Sequence, residues 1–390
     1  MRVASHHPRP VSAIARQNGS DCIVIGAGLI GLSTALHLAW RGRSVRVLER
    51  GRIGDGTSSK ASGWISAQLR TPNSLLELVL RSLDQYPAFL ERLDDACGYE
   101  RCGSLVVMDS ADGLEQRKLL DATQREVSAY AGARFLDGRD AHELEPALSD
   151  SIIAAAYFTD DAQVEAQSLL AAMLRACAKA RVAVHQGADA RAISREEGAW
   201  RVTTPIGTYD ADAIVVASGA WSPSIAELAG FELPVLPVSG QLLVSTPRPA
   251  LLKRCVVYQP DARFATRLAC GIRPALDGRL WMGTTYRAGS FDVAITPEDT
   301  AAILGAVGSV FPSLRDVAVE EAWAGVRPVP EDLVPIYGRV AGQEGMFAAV
   351  PVAGLAECAA AGALMADLVD GAPAGTDAAQ YSPDRFGTAD

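Results

Sequence analysis

The sequence predicts an α/β chain, α+β overall, in which a helix-covered parallel sheet is joined to a second, antiparallel sheet. Three observations predict it. A short β-branched run at 22–25 turns through three glycines into a helical stripe and then a second strand. Strand and helix patterns go on alternating through much of the first half. From residue 241, short strand-like runs alternate with turns, as in antiparallel ladders. With 390 residues the chain has room for two or three domains, at about 150 residues each.

Residues 22–25 read as a buried parallel strand. Gly26, Gly28 and Gly31 follow in the spacing GxGxxG, and Leu32, Ala35, Leu36 and Ala39 share one face of a helix over 32–40. A second strand at 44–48 ends in Glu49 and Arg50, about 20 residues past the glycines. Gly26 permits the tight turn, Gly28 lets backbone approach a pyrophosphate, and Gly31 lets helix pack on strand. The helix N-terminus offers free N–H groups to the phosphates, beside Ile30, and Glu49 can accept from a ribose diol. This is a dinucleotide site, and NAD and FAD both remain open at this point. Residues 51–64, rich in Gly, Ser and Thr, read either as a phosphate- or ring-wrapping loop or as a flexible linker.

Further along, 73–97 reads as one long helix or two, with a break at Pro87. A strand is expected at 103–108, a helix at 114–130, a short helix at 140–146, a strand at 152–158 and an Ala/Leu-rich helix at 165–180. Runs at 182–185, 189–195, 199–204 and 208–210 read as a meander. The run 213–217 is a buried strand ending in a glycine turn at Gly219 and Trp221, on the edge where open α/β sheets bind ligands. Strands at 241–245, 254–258, 268–272 and 280–285 form the antiparallel sheet. A helix at 297–311, a proline-rich segment at 321–335, a strand at 345–350 and a helix at 355–370 complete the fold.

Composition excludes several functions. Apolar residues are 49% and charged residues 21%, so the chain is not disordered. The formal charge of −10, from 36 Lys and Arg against 46 Asp and Glu, argues against nucleic acid as a partner. Seven cysteines without a framework point to the cytoplasm. Residues 1–20 lack a signal peptide's apolar run, and no membrane span is expected. Five histidines, with no HExxH, Cys-x-x-Cys or calcium loop, predict no metal. The hard chemistry would then fall to an organic cofactor.

Six segments together resemble the FAD-dependent D-amino acid oxidase superfamily, and most of all its glycine oxidases and monomeric sarcosine oxidases. They are GAGLIGLSTALHLAWRGRSVRVLE, GRIGDGTSSKASGW, VVASGAWS, WAGVRPVPEDLVPIYGR, the helix from Gly354 and YSPDRF. The resemblance implies FAD in a Rossmann-like domain of glutathione reductase type, discontinuous over 18–95, 148–228 and 325–371. A substrate-binding domain would take 96–147 and 229–324, with loose termini at 1–17 and 372–390. It implies that Thr57, Ser58, Ala61, Ser62 and Gly63 line the cofactor, as would Asp189, Gly219, Trp221, Gly354, Leu355 and Ala356. Arg327 matches the carboxylate-binding arginine, beside the cofactor; pairing with Glu331 or Asp332 is its other reading. Arg273 matches the setting of a lysine that promotes oxygen reduction, or is a surface arginine. Trp64 lines the substrate pocket or packs in the core. Glu357 accepts a substrate ammonium or is a helix-favouring acid.

Two features depart from the family. Val352 and Ala353 stand where glycine oxidases carry a second arginine, and Gly271 falls near their carboxylate-assisting tyrosine. The activity implied is oxidation of the C–N bond of an amine or amino acid by hydride transfer to flavin N5, giving an imine that hydrolyses. A homo-oligomer or a subunit of a dehydrogenase complex is the expected assembly. The alternatives are a non-catalytic or complex-dependent flavin-binding subunit and an NAD-dependent dehydrogenase.

Overall fold

The computed structural model describes residues 19–67, 70–258 and 268–387. The expectation for 1–17, the end of the tail at 388–390 and part of the 229–324 region, 259–267, lie outside them. The strand Gly19–Ile25 forms the middle of an eight-stranded sheet. It pairs in parallel with Gly207–Val216 on one side and Val45–Glu49 on the other. Met346–Val350 adds in parallel to Gly207–Val216, and Ala183–Gln186 adds in parallel to Val45–Glu49. These strands are apolar on both faces: helices cover one, and Ile193, Trp200 and Val202 of the adjoining antiparallel strands pack on the other. Leu29–Ala39 and Gly354–Asp370 pack together on one side, where Ser33 donates to the Cys358 carbonyl at 2.7 Å.

The second sheet has nine strands and surrounds Val235–Ser245 and Val319–Pro330, which pair antiparallel along almost their full lengths. It is antiparallel except where Cys255–Tyr258 meets Ser104–Met108. Ala154–Phe158 and Val319–Pro330 belong to it, so its membership cuts across the expected boundaries at 148 and 325.

Several elements differ from expectation for physical reasons. Asn73–Leu93 runs through Pro87 unbroken. The helix loses one N–H donor there, but Tyr86, Phe89, Leu90 and Leu93 are buried on both sides of the proline and hold the turns in place. The runs 208–210 and 213–217 are one strand, Gly207–Val216, and 182–185 joins the parallel sheet rather than a meander. The proline-rich segment from 321 is mostly strand, because Pro328 and Pro330 face Pro237 and Val235 across the ladder.

The C-terminal tail is docked, not loose. Tyr381 is fully buried and donates to the Ser74 carbonyl at 2.9 Å. Arg385 forks onto Asp332 at 2.7 and 3.1 Å and donates to the Val334 carbonyl at 2.7 Å. Removing a buried aromatic ring costs about 3–5 kcal/mol. Tyr381→Ala should therefore lower the unfolding free energy by about 3 kcal/mol in a urea titration. A loss below about 0.5 kcal/mol, the scale of a surface change, would mean the tail is not part of the folded unit.

Asp161 joins the second sheet to the loop after Trp64. Its carboxylate accepts from the Ala67 N–H at 2.8 Å and from Ser104 Oγ at 2.5 Å. Burial raises its pKa to about 6, against the lowering effect of those two bonds. A raised carboxyl pKa favours the protonated folded state. Its stabilising contribution is complete below about pH 4 and is lost as pH rises through about 6. Asp161→Asn should remove a stability decline of about 2–3 kcal/mol between pH 4 and pH 7. Unfolding curves at pH 4.5, 6 and 7.5 test this; parallel pH dependence in both proteins would count against it.

Candidate functional site

Four strand ends meet at one edge of the first sheet. Ile25, Glu49, Val216 and Val350 all finish there, because the four strands are parallel. A cavity of about 1240 Å³ lies between this edge and one face of the second sheet. Val238, Gly240 and Leu242 line it from one strand, Trp281 and Gly283 from another, and Trp323, Gly325 and Arg327 from a third. The first strand keeps the two-residue period of a face turned to the cavity, whereas Thr284, Val326 and Pro328 of the other two also reach it.

At one end, the glycine turn leaves no room for side chains. A Cβ on Gly26 would lie 2.5 Å from the Ala217 carbonyl oxygen, and one on Gly31 would lie 2.0 Å from the Gly26 oxygen. Gly31 therefore seats the helix against its strand and does not reach the cavity. Gly28, by contrast, lines it, and a Cβ there would meet only Ser58 Oγ at 3.0 Å. Ile30 also lines it. The helix has no side chain of its own at its N-cap; Ser58 accepts from the Leu29 N–H at 3.1 Å. Glu49 accepts from Ala27 N at 2.9 Å and Gly51 N at 3.0 Å, which fixes its carboxylate at the cavity wall. Arg50 lies 4.0 Å from the Trp221 ring centre, and Asp189 and Gly219 share this end.

In the middle, Thr57, Ala61, Ser62, Gly63 and Trp64 line the wall. Thr57 donates to the Val326 carbonyl and ties this loop to the second sheet. The helix from Gly354 points its first turn, Gly354, Leu355 and Ala356, into the cavity without a side-chain cap. Those N–H groups have no intrahelical acceptor and suit an anionic partner.

Arg327 is half-buried and donates to Thr284 Oγ1 at 3.2 Å, with the Tyr286 ring centre 5.1 Å away. Its Nη1 is buried without a partner. Asp332 is taken by Arg385, and among the described residues Arg327 makes no ion pair, so pairing within its own segment is not its role. Arg273 is buried, not a surface residue. Its guanidinium forks onto Glu165 at 2.8 and 3.2 Å, while its Nε has no partner, and it backs Gly63, where a Cβ would lie 3.1 Å from it.

Glu357 is the correction among the expected site residues. It is fully buried and does not line the cavity. Tyr337 donates to one oxygen at 2.6 Å, and the Val352 and Ala353 N–H groups donate to the other. Burial raises its pKa while these donors and Arg70 oppose the rise. It braces the chain entering the last helix and is not open to a substrate ammonium.

Sequence reasoning missed Tyr286, Trp281, Trp323 and Arg70, all cavity residues. Parity signals Trp281, which alternates with 283 on the strand predicted at 280–285; Trp323 lies in the segment read as proline-rich, and Tyr286 lies just past the strand end. Arg70 carries no such signal. Trp64 occupies the space above Gly271, where a Cβ would meet Trp64 Cζ3 at 3.4 Å.

The family model described as "FAD dependent oxidoreductase" (DAO) matches residues 21–368. Glycine oxidase of Geobacillus kaustophilus is 29% identical over 372 residues, covering 93% of this chain and 96% of that protein. The crystal structure of glycine oxidase from that organism matches with a TM-score of 0.88 at 28% identity, covering 94% of this chain and 99% of that one. Hydrogen cyanide synthase subunit HcnC of Pseudomonas aeruginosa is 28% identical over 373 residues, covering 83% of this chain and 86% of that protein.

The two glycines make separable predictions. Gly28→Val adds bulk toward the cavity and should leave the fold intact while the protein purifies without yellow colour. Gly31→Ala forces backbone apart and should cost about 3 kcal/mol of stability. Absorbance at 450 nm and thermal melts distinguish the two; a yellow Gly28→Val protein would contradict the assignment.

Proposed function

The chain belongs to the FAD-dependent oxidoreductase family, and from that premise we propose that this cavity oxidises the C–N bond of an amine or amino acid. The residues present fit FAD. Gly26, Gly28 and Ile30 would hold the pyrophosphate at the helix N-terminus, and Glu49 and Arg50 would hold the adenosine end. Thr57, Ser58, Ala61, Ser62 and Gly63 would line the extended chain and ring, with the first turn of the last helix facing the same space. When bound, FAD supplies the two-electron acceptor that takes hydride from the carbon beside the substrate nitrogen.

The observation that carries the substrate reading is Arg327, a half-buried cation without a carboxylate partner in the same cavity. A guanidinium there would fork onto a carboxylate and fix the neighbouring carbon. Trp64, Trp281 and Tyr286 would keep water from the bound substrate. No histidine lines the cavity among the described residues, so no imidazole would take the substrate's proton there. Arg273 and its partner Glu165 would act on the ring side of Gly63, as a fixed charge pair. Seven free cysteines support a reducing compartment, the cytoplasm.

A second reading, a flavin-binding subunit that works only in a complex, is favoured by the similarity to HcnC. The experiment is anaerobic titration of the purified yellow protein with glycine, sarcosine, proline and the matching decarboxylated amines. Bleaching at 450 nm by an amino acid in the isolated chain is the expected outcome. Full flavin content with no bleaching by any compound would turn the reading to the complex-dependent subunit.

A further inference from the structure

A second guanidinium faces the cavity. Arg70 lies between the strand Trp64–Ile65 and the helix Asn73–Leu93, and it lines the cavity with Thr71 and Leu75. The segment is pinned, because Gln124 Nε2 donates to the Arg70 carbonyl at 3.0 Å. Its side chain is held too. Nε donates to the Ser66 carbonyl at 2.9 Å and Nη2 to Ser66 Oγ at 3.3 Å. Those acceptors are neutral. Among the described residues, neither Arg70 nor Arg327 makes an ion pair.

The surroundings of Arg70 sharpen this. Burial lowers its pKa from the ordinary arginine value, Glu357, Asp161 and Tyr286 raise it, and Arg327 lowers it further. Both guanidinium groups line the same cavity. The two acids nearby cannot neutralise them by contact. Glu357 is committed to Tyr337, Val352 and Ala353, and Asp161 to Ala67 and Ser104. Two cations sharing a half-buried space without a bonded anion repel each other, and an anion between them relieves that repulsion.

We propose that Arg70 and Arg327 form a two-arginine clamp that binds the carboxylate of the substrate, which is thus an amino acid and not a simple amine. Arg70 restores from another part of the chain the second positive charge that Val352 and Ala353 do not provide. The clamp rests on the amine or amino-acid reading of this cavity and narrows it. Arg327 reaches the cavity from the strand Val319–Pro330, whereas Arg70 reaches it from the loop before the long helix. The carboxylate would therefore be gripped by two elements that do not pair with each other.

The test uses the flavin-loaded protein and propionate, a carboxylate with no nitrogen to oxidise, against n-propylamine. Binding is read from the shift of the flavin spectrum and from calorimetry. Propionate should bind and propylamine should not. Arg70→Ala and Arg327→Ala should each weaken propionate at least about tenfold, the scale of a charge-assisted hydrogen bond. Arg70→Gln keeps a donor for Ser66 while removing the charge, so it should lose binding as Ala does. Arg70→Lys should recover part of it. Flavin content and melting temperature identify any variant that fails to fold. Wild-type affinity in folded Arg70→Ala or Arg70→Gln would overturn the clamp. Loss in Arg327→Ala alone would leave a single anchor and remove Arg70 from the site. Equal binding of propylamine and propionate, unaffected by either change, would also overturn it. Bleaching by amines would then show that the amine half of the functional reading survives without the clamp.

Discussion

The structure depends on a place where three backbone segments pass with no side chain between them. The Gly31 Cα faces the Gly26 carbonyl so closely that a Cβ would sit 2.0 Å from its oxygen, and a Cβ on Gly26 would in turn sit 2.5 Å from the Ala217 oxygen. The first strand, its helix and the end of Gly207–Val216 are thereby locked at one corner. The same economy recurs one layer out. A Cβ on Gly362 would lie 2.1 Å from Ser33 Oγ, and Ser33 donates to the Cys358 carbonyl. The last helix is drawn against the first, and its N-terminus is carried to the cavity. Two helix N-termini then open onto one space because small residues let the helices approach, not because a ligand pulls them there.

What fills that space electrostatically is decided by which charges are already satisfied. Glu357, Asp161 and Glu165 sit near the cavity, and each has its oxygens engaged by tyrosine, serine, backbone or arginine donors. The arginines divide differently. Arg273 is neutralised by Glu165, whereas Arg327 and Arg70 bond only to hydroxyl or carbonyl oxygens. Burying an unmatched charge is costly, so an anion entering the cavity that Arg70 and Arg327 line would relieve that cost. The acids have their oxygens engaged, whereas Arg70 and Arg327 bond only to neutral oxygens.

Much of this was legible in the sequence, and the limits have particular causes. The fingerprint was legible because Gly26, Gly28, Gly31 and Glu49 lie within one strand–helix–strand unit whose chemistry is local. Cavity residues on predicted strands, such as Trp281, were half legible, since period two gives the face but not which face meets a ligand, whereas Trp323 lay in a segment read as proline-rich. Glu357 was ambiguous because an acid in a first helical turn looks alike whether it caps its own helix or faces a substrate. Its role is settled by Tyr337, which comes from a different strand. Arg70 was silent, because it sits in an irregular segment and its bonds run to Ser66 and Gln124 and not along a helix or strand. Pro87 misled, since the rule that proline ends helices holds only where packing does not override it.

Trp64 shows how a departure from a family pattern can be compensated in space. Its indole packs over Gly271, the position that falls near the family's carboxylate-assisting tyrosine. A large side chain at both positions could not be accommodated, because a bare Cβ at Gly271 would already touch Cζ3 of the ring at 3.4 Å and the Gly283 carbonyl at 3.2 Å. The bulk at this place comes from the loop and not from the strand, and the wall there is apolar. Tyr286, whose ring lies beside Arg327, keeps an aromatic hydroxyl in the same cavity from the next strand end. The polar groups left to hold a carboxylate then come from the loop before the long helix and from the strand Val319–Pro330. The apolar surface of Trp64 and Trp281 remains for the rest of the substrate. On the proposed clamp, the charged end of a ligand would lie at Arg70 and Arg327 and the apolar end at Trp64 and Trp281, with the nitrogen-bearing carbon between the two.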